Sequence, residues 1–132
     1  MAVEHTADVG VDVAAPTLPE LYARAAAGMT ALLYGGPPEV TEEEPRTVEV
    51  RAPHGAALLR EWLRELLYLQ EVEGFVFAGA ELDTLTGERL SGRVRGGAVA
   101  AAPEREIKGV TLHGLVVERC GAGWHARVIF DV

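Results

Sequence analysis

The chain reads as an α+β fold, two helices packed on a mainly antiparallel sheet in the order β-α-β-α-β-β-β-β. Three observations predict it. Apolar residues recur at three- and four-residue spacing in two windows, about Leu18 to Tyr34 and Ala56 to Val72. Each window follows a segment in which small apolar residues alternate with polar ones, the pattern of a half-buried strand. After Gly74 only extended segments remain, separated by turn residues. A length of 132 residues, 48% of them apolar and 24% charged, suits a single domain over 1–132 with one core.

The first strand is "VGVDVAA", with Val9, Val11 and Val13 on one face and Asp8, Gly10 and Asp12 on the other. Thr17 and Glu20 then form a T-x-x-E capping box ahead of Leu18, Leu21, Tyr22, Ala25, Ala26, Met29, Leu32 and Leu33, so a helix begins there. Gly35, Gly36, Pro37 and Pro38 stop it. The acidic "EVTEEEPR", including Glu42 to Glu44, is expected as a solvated loop leading into the strand "TVEVRA". In the second helix Leu58, Leu59, Trp62, Leu63, Leu66, Leu67 and Leu69 form a broad apolar stripe with Glu61 and Glu65 opposite, and "EGF" closes it. The extended segments that follow are "FVFAGAELDTL", "ERLSGRVRGGAVA", "IKGVTLHGLVVER" and "WHARVIFDV", divided by a "TG" turn, a Pro-containing loop and a "CGAG" turn. In the last of these Trp124, Ala126, Val128 and Phe130 share one face, and His125, Arg127, Ile129 and Asp131 the other.

Composition narrows the function. The formal net charge is −8, with no Lys/Arg-rich stripe, so direct binding to nucleic acid is not expected. No apolar run approaches the roughly 20 residues of a membrane span, and the first residues lack a signal-peptide pattern, which predicts a soluble cytoplasmic protein without a membrane partner. The absence of Asn and the preference for Arg fit selection at high temperature and a GC-rich genome equally well. Cys120 is the single cysteine and is read as a loop thiol. Nothing in the sequence fixes an oligomeric state.

None of GxSxG, HExxH, GxxxxGK[ST] or GxGxxG is present, and Ser91, the one serine, has no context for a triad. Carboxylates are the better lead. Asp131 falls at the rim of the last strand, and the oxygens of Val132 follow it directly, the ligand type that hard cations such as Ca²⁺ or Mg²⁺ prefer. Asp8, at the start of the first strand, would add another carboxylate if the two strands meet; the alternative is a solvated Asp131 and a strand-capping Asp8. The histidines His5, His54, His113 and His125 are too scattered for a local zinc motif, and hydrogen-bonded or surface roles suit them. His5 and His113, the latter expected on a strand face with Thr111, are the two to check first. Lys108 is the only lysine among twelve basic residues, so it is either a site where a compact ammonium is needed or a survivor of compositional bias.

The segments "HTADVG" with "TLPELYARAAAGM", "LLREWLRELLYLQEVEGFVF", and "IKGVTLHGLVVE" with "GWHARVIFDV" together resemble the archease family, in the right order over nearly the whole chain. The resemblance implies the archease fold. It also implies a non-enzymatic, metal-binding activator of the RtcB-type RNA ligase of tRNA splicing and RNA repair, promoting ligase guanylylation and multiple turnover. The family's metal-binding acids correspond here to Asp8 and Asp131, with Val132 as a further oxygen ligand, for a divalent cation, Ca²⁺ first and Mg²⁺ or Mn²⁺ as alternatives. One departure is Ala101, where many family members carry a histidine, so any contribution from that side chain is missing. The alternatives are a small metal-dependent hydrolase built on Asp8, Asp131 and His113, and a general protein-folding modulator.

Overall fold

The computed structural model describes residues 7–132. The elements are β1 (Asp8–Ala15), α1 (Leu18–Tyr34), β2 (Thr41–Arg51), α2 (Gly55–Glu73), β3 (Val76–Leu85), β4 (Arg89–Ala98), β5 (Gly109–Val110), β6 (Val116–Cys120) and β7 (Gly123–Asp131). They build two antiparallel sheets. In one, β7 lies between β1 and the β5 and β6 segments; in the other the order is β2-β4-β3. Among the described residues no helix is long and apolar enough to cross a membrane.

Both helices begin and end where their chemistry says they should. Thr17 Oγ1 accepts the Glu20 N–H at 3.3 Å, and Gly35 closes α1 in the left-handed region at φ 74°. For α2 the cap is His54, whose Nδ1 accepts the Ala57 N–H at 3.3 Å, and Gly74 at φ 65° ends it. The "PHG" histidine therefore serves the helix.

The helices sit between the sheets. α1 packs on β1 and β7 of the first sheet and on β3 of the second, while α2 touches strands of both. Leu21, Leu58, Leu59, Trp62 and Leu63 are fully buried in one cluster with Phe130 and Val128 from one sheet and Leu90 and Val94 from the other. Trp62 is held edge-on to Phe77, with ring centroids 6.3 Å apart, and its Nε1 donates to Tyr22 O at 3.0 Å. Tyr22 in turn donates its hydroxyl to Gly55 O at 2.9 Å, and burial raises its pKa well above the usual phenol range.

Two stretches depart from the local reading. Glu42 to Glu44 are not a loop: they are exposed residues of β2, which pairs with β4 from Thr41 onward across a bulge between Thr41 and Glu44. Acidic side chains and Pro45 suit an outer strand, since charges and a missing N–H block pairing with another chain. The segment "IKGVTLHGLVVER" is extended but interrupted, since β5 and β6 lie along the same side of β7 and a turn at residues 111–115 separates them. Gly114, at φ 70°, supplies that turn.

Candidate metal centre

Pairing of β1 with β7 is unbroken from Ala15↔Trp124 to Asp8↔Asp131. Val9, Val11 and Val13 stand beside Phe130, Val128 and Ala126 on the helix-facing side, so the alternate residues, Asp8 and Asp131 among them, share the outer face. Directly opposed residues of an antiparallel pair hold their β-carbons about 5 Å apart. The two aspartates thus meet at one rim of the sheet. On the other side of β7, Gly109 pairs with Asp131, and the Lys108 N–H donates to Asp131 O at 2.6 Å. Beyond the rim the Val132 N–H donates to Ala7 O at 3.0 Å, which holds the half-buried Val132 beside the pair.

Asp131 Oδ1 is buried and, among the described residues, accepts no hydrogen bond, whereas Asp8 is exposed. Among the described residues neither aspartate has a Lys, Arg or His nitrogen within 4.0 Å, although most of the molecule's ion-paired acids sit against an arginine. Two opposed carboxylates with no cation repel, and a buried oxygen without a donor has lost its water without compensation. A hard cation would relieve both. The donor set fits one: two anionic carboxylates, with backbone oxygens of neighbouring residues within the same rim. Among the described residues no third His, Cys, Asp or Glu joins a cluster, so the further ligands these residues could offer are backbone oxygens.

The other expected residues scatter. Lys108 is exposed, and its backbone ties it to Asp131. His113 is not on a strand with Thr111. It lies exposed in the turn between β5 and β6, its carbonyl accepting the Thr111 hydroxyl at 3.2 Å, because the interruption of the strand lifts it out of the ladder. His5 lies outside the described residues. His125 lies on the outer face, its Nε2 3.0 Å from Asp12 Oδ1 and its Nδ1 3.2 Å from Glu118 Oε1, a bridge across β1, β7 and β6. Ala101 lines a hollow of about 480 Å³ with Tyr34, Pro37, Glu39 and Thr41, and the carboxylate pair is not on it. Gly109 and Ala7, whose backbones frame Asp131 and Val132, escaped the sequence reading; the only signal was their adjacency to Lys108 and Asp8.

The archease protein family (MTH1598/TM1083) matches residues 1–132. The chain is 34% identical to the archease of Methanosarcina acetivorans, covering 98% of this chain and 93% of that one. With the archease of Thermococcus kodakarensis the identity is 32%, over 98% and 95%. Its fold superimposes on the solution structure of Methanobacterium thermoautotrophicum protein 1598 with a TM-score of 0.72 at 26% identity, covering 98% and 96% of the two chains. A Thermotoga maritima crystal structure described as an archease and possible chaperone gives 0.70 at 20% identity over 100% and 96%, a likeness of fold. A match along the whole length, carried by the same two helices between the same sheets, places this chain in the archease family.

Proposed function

We propose that this protein is a non-enzymatic activator of an RtcB-type RNA ligase, acting in the cytoplasm as a single domain through a divalent cation held at the Asp8–Asp131 rim. The observation that supports it most is the carboxylate pair itself, with Asp131 Oδ1 buried and unpartnered. When bound, the cation supplies charge neutralisation and open coordination positions to a phosphate or carboxylate of the partner. Asp8 and Asp131 hold it, Val132 adds an oxygen, and β5 fixes Asp131 through the Lys108 N–H. Ca²⁺ suits such an oxygen set, with Mg²⁺ or Mn²⁺ as substitutes. Lys108, exposed beside the pair, is placed to meet an anionic group of the partner. His113 is held less closely.

A hydrolase needs a concave site around its metal-bound water, and none of the hollows described among residues 7–132 is lined by Asp8 or Asp131, which favours an activator. A folding modulator draws support, among the described residues, from the large apolar side chains left exposed, Tyr68 and Val72 at 52% and 63% on α2 and Leu112 at 60%. The test is guanylylation and multiple-turnover ligation by limiting RtcB-type ligase, with and without the protein. Stimulation by the wild type, lost in Asp8→Ala and Asp131→Ala, is expected. Equal turnover in its presence and absence rejects the proposal.

A further inference from the structure

The outer face of the β1-β7-β6 sheet carries no helix, and the carboxylate pair is only its rim. Running inward from Asp8 and Asp131, the next rung is Gly10 opposite Ile129. A β-carbon on Gly10 would stand 3.2 Å from Ile129 Cδ1, and one on Gly114 3.1 Å from Ile129 Cγ1. Two glycines therefore leave room above the partly exposed Ile129, with Arg127 Nε bordering it 3.8 Å from where a Gly10 β-carbon would stand. The turn that brings Gly114 over Ile129 also carries Leu112, exposed 60%, one of three large apolar residues so displayed among the described residues. Around this apolar pair, among the described residues, stand Asp8, Asp12, Glu118 and Asp131, with His125 between Asp12 and Glu118, Arg127 against Asp12 and Lys108 exposed at the rim, so acids outnumber fixed cations. An apolar centre inside a charged rim is the anatomy of a protein-binding patch, and its sign selects a basic partner while repelling RNA.

We infer that this face, anchored by Leu112 and Ile129, docks a protein whose contact surface is an apolar pocket ringed by lysine and arginine. The inference rests on the activator reading, because docking here would deliver the rim to the partner. It goes beyond that reading in naming the surface and the chemistry that fits it.

The experiment titrates wild type, Leu112→Asp, Asp12→Lys/Glu118→Lys and Tyr68→Asp against the RtcB-type ligase, reading both physical association and half-maximal stimulation, with Ca²⁺ affinity measured on each protein alone. Leu112→Asp should raise the half-saturating concentration about tenfold or more, as loss of an interface anchor does, and leave Ca²⁺ affinity unchanged. The double charge reversal should weaken association most at low salt. Tyr68→Asp, on α2, should behave as wild type. Unchanged docking of Leu112→Asp with weakened docking of Tyr68→Asp overturns the inference and leaves the activator reading standing. Tighter association after charge reversal overturns it as well, since the face would then meet an anionic surface such as RNA. Should the wild type neither bind nor stimulate the ligase, both fail together.

Discussion

The glutamates of the β2-β4-β3 sheet and the aspartate pair at the β1-β7 rim live under opposite rules. On the β2-β4-β3 sheet the paired glutamates meet arginines: Glu43 with Arg95 at 3.4 Å, Glu44 with Arg46 at 3.3 Å, and Glu49 with Arg51 and Arg89, both at 3.2 Å, while Glu73 at the end of α2 reaches Arg46 at 2.8 Å. Arg46 also lies over the Phe75 ring at 4.3 Å from its centroid. Desolvation works against its charge, but hydrogen bonds to Glu73 and Glu44 outweigh that and raise its pKa. On the other sheet Asp8 and Asp131 face each other with no such partner among the described residues. Where an acid serves the fold, this arginine-rich chain supplies its cation internally. On the proposed reading the rim pair takes its cation from outside, and the fold carries its repulsion meanwhile.

Asp131→Ala should give the largest effect and the sharpest contrast. We expect Ca²⁺ affinity, followed by calorimetry, to fall about 100-fold or more, the upper end of what even an outer-shell change costs. Without the ion the variant should melt at or above the wild-type temperature, because one of two opposed carboxylates is gone. At a free Ca²⁺ concentration 100 times Kd the wild type should gain about 2.7 kcal/mol that the variant does not. A strong loss of ion-free stability would erase the contrast by showing that Asp131 serves the fold.

Arg46→Ala should do the reverse. It leaves Glu44 and Glu73 without their cation and uncovers Phe75, so the melting temperature should drop by a few degrees. Ca²⁺ affinity should not move, and a parallel loss of both would mean the two regions are coupled.

Glu49→Gln offers the smallest and most specific test. Hydrogen bonding to Arg89, then its charge, then hydrogen bonding to Arg51, hold the Glu49 carboxyl below its ordinary 4.5. A depressed folded-state pKa means stability that is present above the unfolded value and lost as pH falls through the folded one. The wild type should therefore melt above Glu49→Gln at neutral pH, and the two curves should converge below pH 4.5 as Glu49 takes up its proton. A gap undiminished at low pH would show that the pairing with Arg89 and Arg51 contributes nothing.

Local chemistry determined the two helices to within a residue. Thr17, Gly35 and Gly74 satisfy or release backbone groups of their own neighbours, and a stripe such as Leu58 to Leu69 has one face whatever it packs against. Alternation likewise determined which side of "WHARVIFDV" is buried, because a strand's faces are set by parity alone. The archease resemblance supplied the pairing of Asp8 with Asp131 as an expectation; no spacing in the chain contains it. Only the tertiary structure decided that β1 is the neighbour of β7 and in which register. Strand pairing is non-local, and its register is selected by packing Val11 and Val13 beside Val128 and Ala126 on the helices. For the same reason Glu42 to Glu44 joined a sheet, since β4 was available to pair with them, and His113 left one. A one-residue slip of β1 would turn Asp8 toward the core and away from Asp131, so the packing of Val11 and Val13 is what sets two carboxylates face to face on the outside.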